Sequence, residues 1–395
     1  MDPVADAASR EHFLDLIRGR RRGFVASLAR FGLWLLSLGY GVVIRLRNRA
    51  YTMGLLPVVR TTVPVVSVGN LSVGGTGKTP FVEYIAAFYR DRERLVAILS
   101  RGYGSEGGRN DEALVLEENL PDVPHFQGPD RAALAATAVE ECESEVLVLD
   151  DGFQHRRLAR DLDIVLIDAG APLDHLLPRG LMREPASGLR RADIIVLTRC
   201  DQADPVGLRR RLARIAPGKL VAEAVHRPTY LLSTSGQESL DKLKCHPVAA
   251  FCGLGNPDAF RRTLFDLGAD IKDFRIYPDH HPYSRDDVAD LARWAESQPR
   301  DTWLVTTQKD FVKLRVDSLS GRPLWALRVQ MELRGGKEEV ESRLAAVGTD
   351  QGKEGNRTNS DGSESDGAAS STGTSVSGCD GTASPQSPGQ GGLTS

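Results

Sequence analysis

The sequence has few cysteines, and they are not arranged in pairs. Five Cys occur in 395 residues, and no two of them are spaced as C-x-x-C. That spacing marks many structural zinc sites and redox-active dithiols, so neither class is indicated. A secretory signal with a cleavage site is also missing from the sequence. The cysteines therefore predict reduced thiols in a cytoplasmic protein.

Acidic side chains are missing from one stretch near the N-terminus. Residues 16–50 hold eight Arg and no Asp or Glu, although the formal net charge of the chain is only −3. Residues 31–44 within it are uncharged and mostly apolar, and they include Trp34 and Tyr40. This run is shorter than the roughly 20 residues of a membrane-spanning helix. We expect a basic head over residues 1–49 that lies in the membrane interface, with a buried core helix as the alternative.

Aromatic side chains are missing from the other end of the chain. Residues 347–395 contain none and are rich in Gly, Ser, Thr and Asp. Such a segment buries too little apolar surface to offset the conformational entropy that folding removes. It is predicted to be a disordered tail.

Between these ends, short runs of apolar and β-branched residues alternate with helical patterns. Strands buried on both faces and alternating with helices are typical of a parallel, doubly wound α/β sheet, with ligands at the carboxyl ends of the strands. The strands predicted in the first half are residues 63–70, 95–99, 145–151, 163–169 and 193–199.

The expected architecture has three structured parts after the head. A P-loop NTPase-like core with a mostly parallel sheet is predicted over residues 50–220, and a second, smaller α/β lobe over residues 235–346. A β linker over residues 221–234 is expected to join them as a strand pair. In the second lobe, DTWLVTTQKD predicts a strand followed by a turn.

The stretch SVGGTGKTP follows the first predicted strand and precedes a helical pattern. Its glycines allow backbone N–H groups to approach a phosphate, Lys78 supplies a charge to the β- and γ-phosphates, and Thr79 offers a hydroxyl to Mg²⁺. The sequence therefore predicts an ATP site, although Ser72 stands where this motif usually has Gly. The residues of the predicted loop are Ser72, Val73, Gly74, Gly75, Thr76, Gly77, Lys78 and Thr79.

A nucleotide site of this kind needs a further acidic group to hold the metal. Asp150 and Asp151 follow four apolar residues at the end of a predicted strand. Either carboxylate fits the role of a Mg²⁺ ligand, directly or through water. The alternative is a surface pair that caps the next helix.

Six segments together resemble one family, the tetraacyldisaccharide 4′-kinases, which are the lipid A kinases of Gram-negative-type envelopes. In chain order they are VGNLSVGGTGKTP, SRGYG, DDGFQHRRLARDLDIVLIDA, MREP, DHHPYSRDDV and TQKDFVKL. The family also has Ser or Thr at the position of Ser72. The resemblance implies ATP-dependent phosphorylation of the 4′-hydroxyl of a tetraacylated glucosamine disaccharide 1-phosphate. Because that lipid exposes its sugars at the cytoplasmic surface of the inner membrane, the enzyme is expected at that face as a peripheral or monotopic protein.

The resemblance also implies roles for individual residues. Asp111 corresponds to the base that accepts the hydroxyl proton, Glu112 to a residue that helps hold the metal, and His280 to the partner of the base. An exposed acidic turn is the alternative for Asp111 and Glu112. Because Asp111 and His280 come from different lobes, catalysis is expected to require lobe closure.

Four further residues match family positions near the active site. They are Gln154, His155, Arg183 and Glu184. Arg183 is a candidate phosphate ligand, and Glu184 is expected to order that Arg or the metal ligands. A structural salt bridge is the alternative for both.

A protein of a different class is the alternative function. The segment GGTGKT also resembles the loop of ParA-like partition and assembly ATPases, which would make the chain a membrane-tethered ATPase or GTPase that acts as a switch or assembly factor. Those proteins place a signature Lys where this chain has Val73, and they lack DDGFQH. The kinase is therefore favoured, with the lipid and the membrane surface as partners and no nucleic acid partner expected.

Overall fold

The computed structural model of the protein describes residues 12–102, 111–171 and 173–348, and these belong to one compact unit. Most of the predicted strands are present within a residue or two of the expected bounds. The strands are β1 (Val65–Asn70), β2 (Val96–Ser100), β3 (His125–Gln127), β4 (Val146–Asp150), β5 (Leu162–Asp168), β6 (Ile194–Thr198), β7 (Leu220–Ser233), β8 (Gly236–Glu238), β9 (Pro247–Cys252), β10 (Asp270–Ile276), β11 (Trp303–Thr307), β12 (Ser318–Leu319) and β13 (Arg322–Gly335).

All of these strands belong to one 13-stranded sheet, in the order β10-β9-β11-β13-β7-β6-β5-β1-β4-β2-β3, with β8 paired to β7 and β12 to β13. The strands from β3 to β7 along this order pair in parallel. The strands from β13 to β10 also pair in parallel. The long strands β7 and β13 pair antiparallel and join the two parallel parts. The mostly parallel α/β sheet predicted from the sequence is confirmed.

Helices cover both faces of this sheet. Because consecutive strand residues point to opposite faces, Val66 and Val148 pack on the face that holds α2, while Val65 and Leu147 pack on the face that holds α4. The helices are α1 (Phe24–Thr52), α2 (Lys78–Arg90), α3 (Asp111–Asn119), α4 (Arg131–Cys142), α5 (Val206–Ile215), α6 (Pro257–Asp266), α7 (Arg285–Ser297), α8 (Gln308–Leu314) and α9 (Lys337–Ala346). Two short 3₁₀ helices cover Ala186–Arg191 and Leu240–Leu243.

Two local predictions for the second half of the chain are wrong. The segment expected to be a strand pair is one continuous strand, β7, whose partner β13 comes from the end of the fold. The turn expected after β11 is the start of helix α8, where the Thr307 hydroxyl accepts a hydrogen bond from the backbone N–H of Asp310. The bounds predicted for the two lobes, 50–220 and 235–346, stay a prediction.

The predicted tail lies outside the described residues except at its first two positions. Val347 is 7% exposed and packs in the same cluster as α2 and α9. The chain therefore belongs to the core up to this residue, one position further than the sequence indicated.

Helix α1 is longer than the apolar run that predicted it. It has 29 residues, and its most apolar window has a mean hydropathy of 1.5 with only 11% of the window buried. By length and composition it is the one helix of the described residues that could cross a membrane. Large apolar side chains that α1 leaves exposed include Phe24, Leu28, Phe31, Leu35, Leu38, Val42 and Leu46. These positions recur every three or four residues, so they form one apolar stripe along the helix.

Candidate active site

The predicted phosphate loop lies between β1 and α2, and its last residues leave the start of the helix open. Gly77 adopts a left-handed conformation (φ 82°) just before Lys78, the first helical residue. In the described part of the chain, no side chain caps this helix end. A Cβ at Gly77 would lie 2.5 Å from Nε2 of His226, so only glycine fits here. The open N–H groups at this helix end are suited to binding an anion.

The carbonyl groups of the loop point away from that space, towards the ends of neighbouring strands. The Thr198 hydroxyl donates to the carbonyl oxygen of Thr76 at 3.0 Å, and the Arg199 guanidinium donates to that of Gly75 at 2.7 Å. Arg199 is in turn paired with Asp168. These bonds fix the loop from the ends of β5 and β6, which sequence reasoning did not anticipate.

His226 packs under the loop as an uncharged side chain. Burial, together with the charge of Arg199, lowers the pKa of His226 to about 4. A neutral imidazole therefore lies beneath Gly77 at neutral pH and adds no charge to the phosphate site.

Asp150 is the last residue of β4, and Asp151 follows it beside the loop. The Lys78 ammonium lies 3.4 Å from Asp151 Oδ1, and Arg183 donates to Asp151 Oδ2 at 2.7 Å. Burial acts to raise the pKa of Asp151, but these two cations outweigh it and hold the pKa below its ordinary value. Asp151 is thus an ionised carboxylate between two cationic side chains, Lys78 and Arg183.

Asp150 is in a different electrostatic state from its neighbour. It is 5% exposed, and burial, followed by the charge of Glu112, raises the pKa of Asp150 to about 7. Two carboxylates that lie this close repel each other when both are ionised, and a cation between them would relieve that repulsion. Within the described ranges, no three His, Cys, Asp or Glu side chains converge as a metal site. The metal roles of Thr79, Asp150, Asp151 and Glu112 therefore stay a prediction.

Asp111 and His280, which are far apart in the sequence, are in direct contact. His280 Nδ1 lies 2.9 Å from Asp111 Oδ2 and 3.1 Å from Oδ1. Burial acts to raise the pKa of Asp111, but the bond from His280 and the charges of Lys309 and Lys313 hold it well below its usual range. The same bond raises the pKa of His280, against the opposing effects of burial and Lys309. Asp111 begins α3, and His280 precedes α7, so the two parallel parts of the sheet each supply one partner.

Glu184 and Gln154 form a buried polar group beside the loop. Gln154 donates to Glu184 Oε1 at 2.8 Å and to the carbonyl oxygen of Asn70 at 2.9 Å. Glu184 is 1% exposed and pairs with Arg191 at 3.0 Å, so it orders a different arginine from Arg183.

His155 is placed apart from this group. Its Nε2 atom is buried with no hydrogen-bond partner among the described residues. Burial, with the charges of Arg131 and Arg160, lowers the pKa of His155 to about 4. It is therefore a neutral side chain close to arginines, and within the described part of the chain it makes no hydrogen bond or ion pair with Lys78 or Asp151.

The C-terminal half of α1 is bonded to the same site. The Tyr40 hydroxyl donates to the carbonyl oxygen of Arg183 at 2.7 Å, and Arg47 donates to that of Gln154 at 2.9 Å. Asn48 donates to Glu184 Oε2 at 3.0 Å. The head is therefore linked to the residues that surround the phosphate loop.

Comparisons of three kinds, with a family model, with curated proteins and with solved structures, find similar proteins. A family model described as tetraacyldisaccharide-1-P 4′-kinase matches residues 29–348. The tetraacyldisaccharide 4′-kinase of Anaeromyxobacter sp. (strain K) is 43% identical over 352 residues, which cover 83% of this chain and 93% of that protein. The kinase of the same name from Syntrophus aciditrophicus is 37% identical over 336 residues, 75% of this chain and 88% of its own length. The crystal structure of LpxK from Aquifex aeolicus in complex with ATP has a TM-score of 0.67 and 33% sequence identity, covering 81% of this chain and 99% of that chain.

Proposed function

The chain belongs to the tetraacyldisaccharide 4′-kinase family, which acts in lipid A biosynthesis, and on that premise we propose how its own residues carry out the transfer. ATP binds with its phosphates over the N-terminus of α2. The N–H groups around Gly77 face the phosphates, and Lys78 contacts the transferred end. The bonds of Gly75 and Thr76 to β6 support this proposal, because they turn the carbonyl oxygens away from an anion.

Asp111 is proposed as the base for the 4′-hydroxyl of the lipid. The single observation that carries this role is the 2.9 Å contact between Asp111 and His280. A base must be held in one orientation, and an imidazole bonded to both carboxylate oxygens does this. When the hydroxyl oxygen attacks the γ-phosphorus, its proton passes to Asp111, and the bond between the γ-phosphorus and the bridging oxygen of ADP breaks.

The acidic residues beside the loop are suited to Mg²⁺. Thr79, Asp150, Asp151 and Glu112 offer the oxygen ligands that this ion prefers, and the raised pKa of Asp150 indicates a place where a cation would be stabilised. Bound there, the ion would neutralise charge on the nucleotide phosphates. Asp151 also bonds Arg183 and Lys78, so it keeps both cations near the phosphates whether or not it is a metal ligand.

The apolar stripe of α1 is proposed to lie in the cytoplasmic face of the inner membrane. Its side chains, among them Phe24 at 83% and Leu46 at 62%, are exposed in the described chain. The arginines near both ends of the helix suit anionic headgroups. Because Tyr40 and Asn48 of the same helix are bonded to the site, membrane contact places the site at the height of the lipid's sugars.

Substitution Asp111→Asn tests the proposed base. We expect ATP binding to be kept and transfer to the lipid to fall by roughly 10²–10⁴, the usual contribution of a general base. The measurement is the kcat for formation of the bis-phosphorylated lipid, with ATP affinity measured separately. Asp122→Asn is the matched control, since Asp122 is an exposed residue that pairs with Arg90. Normal turnover by Asp111→Asn, together with loss of turnover by Asp151→Asn, would place the base on the β4 loop instead.

A further inference from the structure

Two lysines of α8 reach the Asp111–His280 pair from the C-terminal part of the sheet. Lys309 Nζ lies 3.4 Å from Asp111 Oδ2 and 3.3 Å from His280 Nε2. Lys313 Nζ lies 3.8 Å from the same Asp111 oxygen. Both belong to the segment TQKDFVKL, to which the sequence assigned no role.

The two lysines differ in what else they contact. Lys313 lies 3.1 Å from Asp310 Oδ1, and Asp310 is fully buried. That carboxylate also accepts bonds from the Gly253 N–H and the Thr307 hydroxyl, so Lys313 balances a structural charge. Lys309 instead forms its ion pair with Asp111 itself, and 21% of its side chain is exposed.

Asp111 has more positively charged side chains beside it than a general base requires. Orientation of the carboxylate is already supplied by His280, and a neighbouring ammonium makes a carboxylate a weaker base. An ammonium at this place does have a use during transfer. A proton acceptor lies about 3 Å from the attacking oxygen, and that oxygen lies roughly 3–3.5 Å from the phosphorus. These distances allow the transferred group to come within reach of Lys309.

We propose that Lys309 is a further catalytic residue, whose ammonium contacts the oxygens of the phosphoryl group during transfer. Lys78 would hold the same group from the phosphate loop, and Lys309 from the acceptor side. The inference rests on the proposed role of Asp111. Lys309 keeps its three protons throughout: the hydroxyl proton goes to Asp111, the new O–P bond forms, and ADP leaves with the electrons of the broken P–O bond. The ammonium only neutralises charge that develops on the phosphoryl oxygens.

The first test compares Lys309→Met and Lys309→Arg with the control Lys272→Met. Lys272 is an exposed lysine paired with Asp270 at 2.6 Å, away from the site. We expect Lys309→Met to lower kcat by about 10²–10³, with the KM for ATP and for the lipid changed by less than roughly threefold. Lys309→Arg should restore part of the rate, because it keeps the charge. A raised KM for the lipid at unchanged kcat would overturn the proposal and indicate that Lys309 binds the acceptor's own phosphate. Unaltered melting temperature in Lys309→Arg checks that the fold is kept.

The second test asks whether Lys309 acts on the phosphoryl group or only on Asp111. Lys309→Met is introduced into Asp111→Asn, and the residual transfer of radiolabelled phosphate is measured. A contact with the phosphoryl group predicts a further loss of at least about tenfold in the double variant. No further loss would mean that Lys309 works through the carboxylate alone, and the proposal would fail while the base assignment stands. Normal turnover by Asp111→Asn alone would instead exclude Asp111 as the base, whatever the effect of Lys309→Met.

Discussion

Two strand–loop–helix units both begin with a strand and a loop that contains glycine, but the N-termini of their helices differ. In the first, β1 leads through a glycine-rich loop into α2, and no side chain of the described residues caps that helix. In the second, β9 leads through Gly253 and Gly255 into α6, and the Asn256 side chain accepts the N–H of Ala259 at 3.2 Å. The N–H of Gly253 is also bonded, to the buried Asp310 at 2.9 Å. The helix end of the second unit thus has a side-chain cap, whereas that of the first unit has none among the described residues.

This difference shows what distinguishes a binding loop from a structural turn in the same type of fold. Glycine alone does not decide it, since both turns contain it. The deciding features are an uncapped helix end, a lysine as its first residue and carbonyl groups held away by Thr198 and Arg199.

Removal of the lysine should give the largest effect. Lys78→Ala is expected to lower kcat by on the order of 10²–10³, because a charge that stabilises the transferred group is lost. Steady-state kinetics with ATP and the lipid in detergent would measure it. The matched change in the second unit is Asp258→Ala, in the first turn of α6, which should leave kcat within roughly twofold. Near-normal turnover by Lys78→Ala would remove the loop from the mechanism.

Truncation of α1 sharpens the comparison, because α1 is bonded to Arg183, Gln154 and Glu184 beside the loop of the first unit. Removal of residues 1–35 should release the protein from anionic vesicles while activity in detergent is kept, since Tyr40 and Asn48 remain. Removal of residues 1–49 should in addition lower activity in detergent by up to about 10²-fold, because the bonds to Arg183 and Glu184 are lost. Vesicle sedimentation and detergent assays of both truncations separate the two effects. Equal activity of the two would show that α1 serves the membrane alone.

Substitution of one glycine in each unit should give a smaller contrast. Gly77→Ala places a methyl group 2.5 Å from the His226 ring in a left-handed backbone, and we expect a loss of about 1–3 kcal/mol in unfolding free energy together with weaker ATP binding. In Gly255→Ala the new carbon meets only the end of the Asp279 side chain at 3.0 Å, which can move. Chemical denaturation and nucleotide titration of both variants measure the contrast. Equal losses would show that the left-handed conformation is not essential to the loop.

The smallest effect is expected at the cap of the second unit. Asn256→Ala removes the acceptor for the Ala259 N–H and should cost about 1 kcal/mol in unfolding free energy. Activity should not change, because the cap faces no substrate in the proposed mechanism. A fall in kcat at unchanged stability would indicate that the second unit also takes part in binding.

The parts of the fold and site that could be predicted from the sequence have local causes. Strand β1, the loop and the start of α2 follow from a β-branched run, glycines and a helical pattern that are contiguous in the chain. Helix α8 also had a local signal that was missed. Thr307 followed three residues later by Asp310 is a helix N-cap pattern, and both bond as such in the structure.

Other features depend on contacts between distant segments. The residues of the site that sequence reasoning did not find include Arg199, His226 and Lys309, each of which meets its partner only after the sheet has formed. Likewise, β7 reads as a strand, but its antiparallel partner β13 cannot be chosen from local composition. The Asp111–His280 pair was placed by family resemblance, because no local spacing relates the two residues.

The pairing of β7 with β13 also bears on the order in which the protein can be assembled during synthesis. The underside of the phosphate loop is lined by His226 from β7 and Met331 from β13, the last strand of the sheet. Translation proceeds from the N-terminus, so the ribosome synthesises the Gly-rich segment long before it synthesises β7 and β13, which lie beneath it. A nascent chain that has exposed the loop therefore lacks the surface that shapes it. The environment of Gly77 is therefore complete only when the half of the fold that carries β13 has also been made.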